Sequence, residues 1–230
     1  MNDSASRPSS SIGKLILVPA VITVAVTILR LVGELENWAP LFFNKHPGGG
    51  GALMGISWLP ILFGPYFAWK LATVGEGPAS TGKALSAIFV GLVVFVAGGF
   101  SFFVSLRNPA SPNLILLLLG VVLWIGSGFI ARLAWRGLGN TLFAYAFAAR
   151  IPVLIVMYLA MSGNGGQGWG THYDAVGPGF PPSTPLATKF FELAVVPQMT
   201  LWIGWTVVVG ALFGWLVTLL LRRRSAPVPA

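Results

Sequence analysis

The sequence contains no cysteine, six acidic residues and two histidines among 230 residues. Without cysteine there is no disulfide, no thiolate nucleophile, no cysteine-ligated zinc and no ordinary iron–sulfur cluster. Charge is equally scarce, with Asp, Glu, Lys and Arg making up 9% of the chain where a soluble domain carries about a quarter. Apolar residues fill the difference: they account for 55% of the sequence, and the mean hydropathy is +0.81. These values exclude an ordinary soluble domain and identify an integral membrane protein.

A helix that crosses the hydrocarbon core needs roughly 20 mostly apolar residues. Stretches near 15–33, 51–73, 84–106, 113–135, 140–162 and 197–221 qualify, separated by Gly, Pro, Asn or charged residues. The sequence therefore predicts an all-α, polytopic bundle of six transmembrane helices over 15–221, with a polar tail at 1–14 and a basic tail at 222–230. Lysine and arginine in short loops set the orientation. With both termini cytoplasmic, the inner side collects Arg7, Lys14, Lys70, Lys83, Arg132, Arg136, Arg222, Arg223 and Arg224, against Lys45, Arg107 and Lys189 outside. The net charge of +8 expresses this bias and suits contact with anionic lipid. A nucleic-acid partner would need a basic soluble face that this chain lacks. The expected partners are the bilayer and either other membrane subunits or a second copy of the chain. No small-residue cleavage site follows the first apolar run, so an uncleaved first span is expected, and the architecture suits a bacterial inner membrane.

Two long segments are expected outside the membrane. The first, 34–51, combines Glu34, Glu36 and His46 with Trp38, Phe42 and Phe43, aromatics suited to the interface. The second, 163–196, is long for a connection and holds His172, Tyr173 and Asp174. Within it Thr184 and Pro185 read as an N-cap and first helical residue of a short interfacial helix through Phe190, Phe191 and Glu192, with Pro197 opening the sixth span. No cofactor is expected. The alternative is a divalent metal at the outer loops, held by His46, His172 and Asp174 with Glu34, Glu36 or Glu192 nearby, since imidazole and carboxylate suit zinc, iron or manganese. The competing reading makes His172, Tyr173 and Asp174 a polar turn and His46 a solvated loop residue, because no His-Glu-x-x-His pattern is present.

Within the spans, Arg150 is the most informative residue. An intramembrane arginine costs at least about 2.5 kcal/mol on insertion scales and points to function. Pro152 beside it frees the carbonyl of Ala148, and the side-chain partner of Arg150 has to come from another span. Thr23, Thr27, Arg30 and Glu34 recur at spacings of four, three and four, on one helical face. That stripe reads either as a self-satisfied ion pair with back-bonded threonines or as a cavity lining. Pro60 and Gly64-Pro65 predict a bent or discontinuous second span. Gly51 with Gly55, Gly210 with Gly214, and Ser101 with Ser105 read as close-packing positions. The echo of Gly-Ala-Leu-Met-Gly at 51–55 in Gly-Ala-Leu-Phe-Gly at 210–214 hints at a duplicated hairpin.

Three functions fit these residues. The first is a non-enzymatic accessory or structural subunit of a membrane complex. The second is a carrier or channel for a small anionic or polar solute, with Arg150, Thr27, Arg30 and Glu34 as binding residues and a wet cavity reaching Arg150. The third is a membrane enzyme with an outer-surface His/carboxylate site, disfavoured by the lack of a Gly-x-Ser-x-Gly motif or paired intramembrane glutamates.

Overall fold

Long runs of Leu, Ile, Val, Ala and Phe, interrupted by few breakers, make helix the default, and every regular element among the described residues is helical. The computed structural model describes residues 11–50, 52–107, 111–177, 180–181 and 183–224. Arg7, Gly51 and the side chains of Arg222, Arg223 and Arg224, all singled out above, lie outside the described residues.

Helix α1 (Ile12–Leu35) ends where Asn37 turns into the left-handed region at φ 53° and the Trp38 amide returns to the Gly33 carbonyl at 2.8 Å. Two short turns follow, α2 (Pro40–Phe43) and a 3₁₀ turn, Pro47–Gly49. Helix α3 (Leu59–Thr73) precedes the antiparallel pair α4 (Thr81–Ser105) and α5 (Leu114–Arg132). Each of that pair begins on a capping side chain: Ser80 Oγ accepts from the Lys83 amide, and Asn113 Oδ1 from the Leu116 amide at 3.1 Å. Helix α6 (Arg136–Gly166) loses regular geometry at Gly163, Asn164 and Gly165. The last helical path runs through α7 (Leu186–Phe190), a π-helical turn (Phe191–Val195), α8 (Val196–Met199) and α9 (Leu201–Arg224).

Five segments are long and apolar enough to cross a membrane, namely Ile12–Leu35, Thr81–Ser105, Leu114–Arg132, Arg136–Gly166 and Leu186–Leu220, which points to a membrane protein. The second stretch, expected to be bent or discontinuous, is irregular in its first part and helical in its second. Only 15 of its residues, Leu59–Thr73, are helical, short of the roughly 20 a helical crossing needs. Pro60 explains the shortfall: lacking an N–H, it sits in the first turn of α3, where that donor has no helical partner, and residues 52–58 before it are irregular. Gly55 therefore lies in irregular chain while Gly210 and Gly214 lie within α9, so the two five-residue echoes occupy unlike structures.

The predicted start of the interfacial helix also shifts. Pro185 takes the cap position, and the Thr184 hydroxyl donates to the Pro181 carbonyl instead of capping. Pro197 does not open a span; it lies inside a helical path that began at Leu186. Its ring would crowd the carbonyl of Leu193 in a regular helix, and the wider π-helical turn just before it relieves that conflict.

Core packing rests on small residues. Gly64 of α3 meets Gly210 of α9 so closely that a Cβ on Gly64 would lie 2.2 Å from the Gly210 carbonyl oxygen. Trp205 Nε1 donates to the Ser57 carbonyl at 2.7 Å, and Ala68 lies against Gly214, so α3 runs parallel to α9. Ser101 of α4 donates to the Leu116 carbonyl of α5 at 2.7 Å. Tyr145 and Phe67 fill the centre edge to face, with ring centroids 5.5 Å apart. The C-terminal end of α1, the Pro47–Gly49 turn and the stretch around Trp169 and His172 gather at one end of the bundle, here called the loop end.

Candidate functional site

Helical periodicity places Thr23, Thr27, Arg30 and Glu34 on one face of α1, and all four are buried. The threonine hydroxyls bond back along their own helix: Thr23 to the Pro19 carbonyl at 2.8 Å and Thr27 to the Thr23 carbonyl at 2.9 Å. Thr23 also meets the Tyr145 hydroxyl of α6 at 2.8 Å. Arg30 and Glu34 form the i, i+4 ion pair, Nε to Oε1 at 2.8 Å.

Glu34 is 0% exposed, and a carboxylate so placed needs donors on both oxygens. His172 supplies them from 138 residues away. Its Nδ1 lies 2.6 Å from Glu34 Oε1, and its backbone amide donates to Oε2 at 2.8 Å. Arg30 Nη2 turns to the other loop and donates to the Gly49 carbonyl at 3.0 Å. Gly49, at φ +69°, lies over the Nε2 edge of the same imidazole; a Cβ there would approach His172 Cδ2 to 2.8 Å. The neighbouring Tyr173 donates its hydroxyl to the Thr27 carbonyl at 3.1 Å. The Arg30–Glu34 pair therefore ties α1 to both loops, Arg30 to the first and Glu34 to the second.

Burial, helped by the Arg30 guanidinium, holds the His172 imidazole below its ordinary value against the opposing pull of Glu34. At neutral pH the ring is thus uncharged, and because the carboxylate can only accept, the proton sits on Nδ1. Burial raises the Tyr173 phenol above the usual tyrosine range, so it stays a donor.

The three candidate metal ligands are not brought together. His172 is engaged with Glu34. Asp174 folds back on its own turn, accepting from the Gly170 amide at 2.9 Å and from the amide and hydroxyl of Thr171. His46, Glu36 and Glu192 are exposed. Among the described residues no three of His, Asp and Glu converge as a metal site would require.

Arg150 occupies a second, separate locus. Regular geometry of α6 carries it into the interior, where it is 3% exposed. Its Nη1 donates to Gln198 Oε1 at 3.3 Å, and its guanidinium carbon sits 4.8 Å from the centre of the Trp202 ring. Gln198 in turn reaches only the Met157 sulfur, at 3.8 Å. Neither of two cavities reaches Arg150: one, apolar, is lined by Ile88, Ala131, Leu138 and Ala211 among others, and the other, about 60 Å³, by Gln167, Asp174 and Lys189 among others.

Sequence reasoning missed Gln198 and Trp202. Gln198 carried a usable signal, a side-chain amide directly after Pro197 at the head of an apolar run. The meeting of Gly49, Arg30, Glu34 and His172 left no such trace, since loop contacts have no period. Compared with protein-family models, with curated proteins and with solved structures, the chain shows no match.

Proposed function

We propose that the protein is a non-enzymatic subunit or assembly partner of a membrane complex, held in a bacterial inner membrane with both termini cytoplasmic. The observation that carries this reading is the Glu34 cluster. Both carboxylate oxygens, the Nδ1 proton of His172 and two edges of the Arg30 guanidinium are spent on holding two loops to α1. A general base or a metal ligand needs a free lone pair in reach of substrate; both oxygens of Glu34 are taken up within the cluster, and the Nε2 edge of His172 lies against Gly49. Its product is a fixed surface at the loop end, which is what a docking subunit contributes.

The six-crossing topology belongs to the same proposal. The chain passes from Gly49, beside His172, to Glu76, beside Gly137 at the opposite end, so residues 52–73 form the second crossing, half irregular and half helical. Irregular backbone at that depth is tolerated when protein covers it, and Trp205 covers Ser57.

Native mass spectrometry of the protein released in mild detergent tests the reading. The expected result is a stoichiometric complex with a second membrane polypeptide or a second copy. A lone monomer, or stoichiometric divalent metal in the purified protein, would overturn it.

A further inference from the structure

The two buried arginines are solvated in opposite ways. Arg30 has a carboxylate and a backbone carbonyl in contact. Arg150 has one neutral amide oxygen at 3.3 Å, the face of Trp202, and a buried Nε–H with no hydrogen-bond partner. Among the described residues no carboxylate lies within ion-pair distance of it. A guanidinium presents five in-plane donors and no acceptor, and a buried charge is stable only when paired and hydrogen-bonded. Trp202 takes the ring face, so the unsatisfied need is for an acceptor in the guanidinium plane, beside Nε.

Gln198 can supply a second donor through its NH₂ group. Gln198 is held by one long bond to Arg150 and a weak contact with the Met157 sulfur, so its amide group is free to turn. It stands just after the π-helical turn Phe191–Val195, a wide, poorly braced geometry that often accompanies binding sites.

We infer that Arg150, with Gln198 and Trp202, binds a small inorganic anion of halide size between the Arg150 Nε–H edge and the Gln198 amide. Enclosure sets the size: with Arg150 3% exposed, neither a lipid headgroup nor a carboxylate on another chain has an approach, which leaves a monatomic anion, the smallest acceptor, as the occupant. The inference stands apart from the subunit reading, because the site lies in the bundle interior, away from the loop end, and either one can fail alone.

Trp202 provides the probe, since bromide and iodide quench an indole they contact. Purified protein in detergent and gluconate buffer is titrated with bromide at constant ionic strength. A saturable quenching component is expected in the wild type, absent in Trp202→Phe and lost in Arg150→Gln. Replacing gluconate by chloride should raise the wild-type unfolding midpoint by about 3 °C or more at tenfold saturation. Should Arg150→Gln not fold, Gln198→Ala keeps the arginine and is expected to weaken half-saturation by about tenfold, the worth of one hydrogen bond to a charge. Purely linear quenching in the wild type, saturable quenching that survives in Trp202→Phe, or an unfolding midpoint indifferent to chloride would each overturn the inference.

Discussion

Glu34 is the side chain on which the loop end depends, because three hydrogen bonds from Arg30 and His172 converge on it in a fully buried position. Glu34→Ala would leave the Arg30 Nε–H and the His172 Nδ1–H buried without an acceptor, and removing one partner of such a group costs about 3–5 kcal/mol. Thermal unfolding in detergent should show that loss, with exposed Glu36→Ala shifting stability by less than about 0.5 kcal/mol; equal effects would remove the cluster from the stability account. His172 adds a pH dependence whose sign follows from its lowered pKa. The unfolded imidazole takes its proton near its ordinary value of about 6.5, before the folded one does, so stability is full above that pH and falls as the pH drops toward the folded value. Unfolding midpoints between pH 7.5 and 5 should therefore decline in the wild type and lose that component in His172→Gln. At this scale the sequence was half legible. Spacing alone set Thr23, Thr27, Arg30 and Glu34 on one face, and the back-bonded threonines and ion pair occur as the simpler reading had them. That Glu34 would also hold His172 was beyond periodicity, since nothing local links residues 138 apart.

Among the elements, α3 tests the physics best, because its neighbour is backbone instead of side chain. A Cβ at Gly64 would meet the Gly210 carbonyl oxygen at 2.2 Å, and neither partner is a flexible side-chain end. Gly64→Ala must push α3 away from α9, an overpacking cost of about 1–3 kcal/mol. Gly126→Ala, where the added methyl meets nothing within 4 Å, serves as the control and is expected to be neutral or slightly stabilising. Thermal unfolding of the two variants decides the matter, and a neutral Gly64→Ala would mean the α3–α9 seam is looser than drawn. Hydropathy made five helices legible that are long and apolar enough to cross a membrane. The break in the second stretch was legible in Pro60, but not its place: Leu53, Ile56 and Trp58 continue the apolar run, while Pro60 can begin a helix but not extend one backward. The π-helical turn before Pro197 was equally hidden: the sequence carries the proline, but whether a helix stops there or widens past it depends on what packs around it.

Across the whole molecule, basic side chains separate by end. Lys14, Lys70, Lys83, Arg132 and Arg136 flank the end opposite the loops, while Lys45, Arg107 and Lys189 flank the loop end. That bias orients a membrane protein only if each segment between the two groups crosses, and the weak link is 52–73, where a helix of 15 residues does half the work. With five crossings the termini would fall on opposite sides; with six they share one. The lack of cysteine makes the distinction clean, because a single introduced thiol has no competitor. His46, exposed at the loop end, and Gly77, exposed in the turn after α3 with nothing within 4 Å of an added Cβ, bracket the disputed segment. In intact cells a membrane-impermeant thiol reagent should label His46→Cys and spare Gly77→Cys until the inner membrane is opened. Labelling of both in intact cells would mean that 52–73 folds back without crossing, and it would place the C-terminus outside. It would also put Trp205 and Ser57, now an interior pair, within reach of water, so the same experiment tests whether the irregular stretch is covered by protein as its depth requires.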